Sequence, residues 1–172
     1  MMAEGGLAAL WFAAALAALQ LLLGVLALRR GHADAAVAIR AVAIVQGGLA
    51  ALAMVALIAT FMASDMSVAL VAANSHSMKP WLYKFAGAWG NHEGSMLLWV
   101  TILGLAGAAV ARFEHRLPRS TLVATLASQA AIALGFYAFL LFASNPFARL
   151  SPAPPDGAGL KPLLQDPGLA FQ

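Results

Sequence analysis

Long apolar runs separated by polar breaks organise this chain. Four runs, Leu7–Leu28, Ala41–Met62, Ser95–Ala111 and Thr121–Ala143, contain no charged residue. A bilayer core of ~30 Å is crossed by roughly 20 helical residues rising 1.5 Å each. Three runs reach that length; the third gains it from Gly94 at one end and a snorkelling Arg112 at the other. None alternates as a barrel strand would, and all are rich in the helix formers Ala and Leu. The pattern predicts an all-α integral membrane fold with four transmembrane helices at about 7–28, 41–62, 94–112 and 120–143. A loop at 63–93 and a Pro- and Gly-rich tail at 144–172 complete the organisation. Within the loop, Trp81, Leu82, Phe85 and Trp89 recur at helical spacing and share one face. Pro80 suits a first turn, so 80–89 is expected to be a short helix in the membrane interface, with Lys79 and Lys84 away from the apolar face.

Composition strengthens the membrane reading. The chain is 62% hydrophobic and 10% charged, whereas soluble domains are about half apolar and about a quarter charged. It has no Cys, which excludes disulfides, thiolate metal sites and a Cys nucleophile. The net charge of +3 does not form a nucleic-acid patch. Arg29, Arg30 and Arg40 lie in the short segment 29–40, and Arg112, Arg116 and Arg119 in the short segment 112–119. The longer segments 63–93 and 144–172 hold only Lys79, Lys84, Arg149 and Lys161. Short basic loops face the cytoplasm, so both termini and both long segments are expected outside, in the periplasm of a bacterium. The first run is not a secretory leader, because Glu4 precedes it and its basic residues follow it.

Candidate chemistry concentrates in residues 74–99, "NSHSMKPWLYKFAGAWGNHEGSMLLW". Gly90 and Asn91 break the short helix, and His92 and Glu93 open the third span, where a carboxylate complements the helix dipole. An imidazole there can donate, accept or ligate. Simpler readings stand beside this one. Trp81, Trp89 and Trp99 fit an aromatic belt at the interface; His92 fits a loop or capping hydrogen bond. His76, between two serines, fits a solvated loop. His76, His92 and Glu93 do not match a known metal-ligand spacing, Ser95 lacks a nucleophile elbow, and no phosphate loop or dinucleotide fingerprint appears. Inside the spans, Gln20, Gln46, Ser128 and Gln129 read as interhelical hydrogen-bond partners, and Gly47, Gly48, Gly104 and Gly107 as points of close helix approach.

Three stretches together carry a family resemblance: "NSHSMKPWLYKFAGAWGNHEGSMLLWV", "ASNPFARL" and "GLKPLLQDPGLAF". They resemble the N-terminal part of the F subunit of the bacterial cytochrome c maturation (System I) haem lyase and its sibling in nitrite reductase assembly. The resemblance implies a multi-pass inner-membrane protein. It implies haem as cofactor, and as partners a periplasmic haem chaperone, apocytochrome c and other maturation subunits. It also implies that Trp81, Trp89, Asn91, His92, Glu93 and His76 form a haem platform or a structural loop. The family's Trp-rich "WGGxWxWD" motif and its intramembrane His ligands are absent, and the His that follows "GLAF" in the family is here Gln172. An amide cannot replace an axial imidazole, so haem ligation and catalysis are expected from outside this chain. The chain is accordingly expected to be an N-terminal fragment, a truncated frame rather than a purposeful split, working with the remaining part of the lyase. The alternative is a membrane scaffold or transport-type subunit without a haem role, against which stands the lack of charged residues within the spans.

Overall fold

The computed structural model of the chain describes residues 1–30 and 35–157. Among these residues six helices form in order: α1 (Met2–Arg30), α2 (Ala35–Met62), α3 (Ala69–Asn74), α4 (Trp81–Gly87), α5 (His92–Phe113) and α6 (Arg119–Phe142). Of these, α1, α2, α5 and α6 are long and apolar enough to cross a membrane. The expected all-α, four-span fold is therefore what the chain adopts. The predicted tail motif "LLQDPGLAFQ", with Gln172, lies outside the described residues.

The four long helices pack around a square. α1 contacts α2 and α6, and α5 closes the ring between α2 and α6. Small residues set the tightest corner. A Cβ on Gly47 would stand 2.5 Å from the carbonyl oxygen of Gly104, and one on Gly104 would stand 3.3 Å from Gly47 Cα. Here α2 and α5 touch backbone to backbone. Thr101 seals the same seam, its hydroxyl lying 3.2 Å from the Ala50 carbonyl and 2.8 Å from that of Leu97. Gly107 makes room for the Gln129 side chain, whereas Gly48 faces open space.

Polar side chains tie α6 to its neighbours. Gln20 Nε2 donates to Gln129 Oε1 at 2.7 Å and to the Leu126 carbonyl at 2.8 Å. Gln46 Nε2 donates to Tyr137 Oη at 2.5 Å. Gln20 and Gln46 are fully buried, and their Nε2 donors find the interhelical partners that an apolar surround demands, whereas Gln20 Oε1, Gln46 Oε1 and Gln129 Nε2 have no partner among the described residues. Ser128, read from sequence as a further partner, is exposed on α6.

Each end of the bundle is closed differently. At one, Arg40 donates to the carbonyls of Ala111 (2.5 Å) and Glu114 (2.8 Å), satisfying the last turn of α5. At the other, α2 stops in a Schellman turn. The Asp65 amide donates to Thr60, the Ser64 amide donates to Phe61, and Ser64 takes the left-handed φ of 52°. The residues after α6 fold back over this end. Val68 and Arg149 form one antiparallel bridge, flanked by amide bonds from Ala69 to Ala148 and from Leu150 to Ser67, each 2.8 Å. Arg149 pairs with Glu4, and the buried Phe147 ring sits where a Cβ on Gly6 would be. The N-terminus, the α2–α5 connection and residues 143–157 thus gather at one end.

Candidate functional site

The start of α5 is built by one asparagine and one glycine. Asn91 is extended and caps the helix: its Oδ1 accepts from the Gly94 amide at 2.7 Å. Its Nδ2 donates to the Gly87 carbonyl at the end of α4, also at 2.7 Å. One side chain therefore fastens α4 to α5 across a tight turn. That turn leaves no room at Gly94, where a Cβ would lie 1.8 Å from the Ala88 carbonyl oxygen. The sequence break read at Gly90-Asn91 is this cap.

Two cavities meet at His92. The polar one, about 580 Å³, is lined by Asn74, Trp89, Gly90, Asn91, His92, Glu93 and Ser95. The apolar one, about 410 Å³, is a groove between α5 and α6 lined by His92, Met96, Ile132, Gly135, Phe136 and Phe139. The imidazole meets the Phe139 ring edge to face, with centroids 5.5 Å apart. Trp89 is held the same way against Phe85, at 4.6 Å.

Of the residues singled out by sequence, the fold thus brings together Trp89, Asn91, His92 and Glu93. It leaves the others elsewhere. Trp81 is exposed at the start of α4, and Trp99 is exposed on α5 away from both cavities. His76, read as solvated, is part of a clamp. Its Nε2 lies 3.2 Å from Asp156 Oδ2, and its Nδ1 accepts from the Met78 amide. Ser77 donates to Asp156 from its amide (3.0 Å) and its hydroxyl (2.7 Å), and the Gly157 amide adds a third donor. These donors, the Ser77 hydroxyl foremost, hold the Asp156 carboxyl down at about 2. Among the described residues no three His, Asp or Glu side chains converge as metal ligands. Sequence reasoning missed Asn74, Met96, Phe136 and Phe139, because their membership depends on how α3 and α6 pack beside α5.

These features define a multi-pass helical membrane protein with an amphipathic pocket at one end of its bundle. Residues 89–171 match the family described as Cytochrome C assembly protein. The chain is 47% identical over 171 residues to the cytochrome c-type biogenesis protein ccl1 of Rhodobacter capsulatus, covering 99% of this chain and 26% of that protein. It is 53% identical over 110 residues to the cytochrome c-type biogenesis protein CcmF of Pseudomonas aeruginosa, covering 63% and 17% respectively. Its fold matches a solved cytochrome c haem lyase CcmF with a TM-score of 0.78 at 24% identity, over 86% of this chain and 25% of that one. The chain belongs to the CcmF/NrfE family of cytochrome c-type biogenesis proteins. It spans about a quarter of the length of the curated relatives it matches along its whole length.

Haem, the cofactor that the resemblance implies, does not fit the two cavities as this chain lines them. Among the described residues neither lining contains an Arg or Lys to receive a propionate, and the one charged group there is the carboxylate of Glu93. Like charges brought together oppose each other's ionisation.

Proposed function

We propose that the chain is the N-terminal membrane portion of a bacterial cytochrome c-type haem lyase subunit. In this reading it sits in the inner membrane with both termini in the periplasm, and assists the covalent attachment of haem to apocytochrome c. Its working partners are the remaining part of the lyase, the other maturation subunits, the periplasmic haem chaperone and apocytochrome c. Haem and its ligands belong to the parts of the assembly outside this chain. The chain's own contribution is structural: a four-span bundle whose folded end presents Trp81, Trp89 and the Asn91–Glu93 turn beside the haem-handling parts.

The observation that carries this reading is the similarity to a cytochrome c-type biogenesis protein over 99% of the chain. The arginine distribution supports the orientation. Six arginines flank the cytoplasmic ends of the spans in this reading, against Lys79, Lys84 and Arg149 at the other end of the described bundle.

Split complementation tests it. Residues 1–172 and the remainder of a full-length relative are expressed separately in a strain lacking that relative, and c-type cytochromes are detected by haem stain. Restoration is expected only when both pieces are present. Full restoration by the remainder alone would remove any role for this chain, as would failure with both pieces stably in the membrane. The purified chain alone is expected to show no Soret band of a low-spin haem.

A further inference from the structure

The two cavities that meet at His92 are polar on one side and apolar on the other, and they lie at the end of two membrane spans. We infer that this pair of cavities is a binding site for one phosphatidylethanolamine molecule, with its ammonium at Glu93 and an acyl chain in the α5–α6 groove. Charge selects the head group. Glu93 is the charged residue of the polar lining, and the neutral polar groups around it are Asn74, Asn91 and Ser95. A carboxylate among such acceptors suits a cation that can also donate hydrogen bonds. A primary ammonium does both, and it stands between Glu93 and the phosphate of its own head group; a quaternary ammonium cannot donate, and a glycerol head group, like a haem propionate, brings negative charge with no cation to offset it.

Shape selects the tail. The floor of the groove opens at Gly135, where a Cβ would meet nothing within 4 Å, and Ile132, Phe136, Phe139 and Met96 wall it. A gap the width of one missing side chain takes a run of methylenes, whereas a packed helix is ~10 Å across and covers several such positions. The imidazole of His92 stands at the boundary, lining both cavities. This is the level at which a phospholipid changes from head group to chain.

The test is native mass spectrometry of the full 172-residue chain, extracted in mild detergent from vesicles with equal phosphatidylethanolamine, phosphatidylglycerol and phosphatidylcholine. One phosphatidylethanolamine retained per chain is expected, in preference to the other two. Glu93→Gln is expected to reduce that preference about three- to five-fold, the scale of one solvent-accessible ion pair. Gly135→Leu is expected to abolish retention of any lipid by filling the groove. Both variants leave packing intact, since Glu93→Gln is isosteric and Gly135 faces open space. Equal retention of the three lipids overturns the inference, as does a preference untouched by Glu93→Gln. So does a chain dimer that Gly135→Leu dissolves, which would make a second copy the occupant. If Gly135→Leu does not fold, the head-group preference and its response to Glu93→Gln still decide.

Discussion

At Gly94 the neighbouring backbone dictates the residue. A methyl group there would overlap the Ala88 carbonyl oxygen, and the turn between α4 and α5 would have to open to admit it. Gly94→Ala is expected to destabilise the chain by about 1–3 kcal/mol in a detergent melt followed by circular dichroism. Asn91→Ala loses both the cap and the bond to Gly87, at a cost of about 1–2 kcal/mol in the same melt. Asn91→Asp keeps the acceptor for Gly94 but loses the donor to Gly87, so it is expected to fall between the two. Asp156 gives a pH signature. Its folded-state carboxyl titrates at about 2, below the ~3.9 of a free Asp. Its anchoring of residues 151–157 is therefore complete above pH ~4 and lost as pH falls through about 2. The amide resonances of Ser77 and Gly157 are expected to shift together over that window, and to stay still in Asp156→Asn. The break before α5 was legible in the sequence because Gly-Asn before an apolar run is a local signal, but the capping side chain is Asn91, where the sequence had suggested His92. The clamp was not: Asp156 lies 79 residues beyond Ser77, and nothing near His76 announces it.

Between elements, the α2–α5 seam is where side-chain size matters most. Gly47→Ala would place a methyl 2.5 Å from the Gly104 carbonyl oxygen. It is expected to push the helices apart and lower stability by about 1–3 kcal/mol. Gly48→Ala, one residue along, meets nothing within 4 Å and is expected to be neutral or stabilising by up to about 1 kcal/mol. Parallel thermal melts of the two variants check the contrast. From sequence the two glycines were equivalent, both read as points of close approach. Spans apolar on every side carry little periodicity to show which face meets a neighbour. The four spans themselves were legible because charge-free length alone identifies them. The short helix α4 was legible as a piece of structure from Pro80 and the aromatic spacing. The expected single apolar face was less informative: Trp81 is exposed while Trp89, beyond the helix end, packs on Phe85.

Across the whole molecule, the two ends of the bundle differ in chemistry. One gathers the aromatic loop, the His76–Asp156 clamp and the Glu4–Arg149 pair; the other carries Arg29, Arg40, Arg112, Arg116 and Arg119. In the proposed orientation, a cysteine at Ser77 is labelled by a membrane-impermeant maleimide on intact spheroplasts, while one at His115 is labelled only after lysis. The chain has no native cysteine, so single substitutions report cleanly, and the reverse pattern would overturn the orientation.

The buried amides also set a timetable for biogenesis. Gln20 finds its partner Gln129 109 residues later in synthesis, and Gln46 waits 91 residues for Tyr137. Until α6 emerges, the first two spans must hold uncovered amides against lipid or within the insertion machinery. The last span is then the one that covers them, so the bundle cannot reach its final packing until α6 has been made.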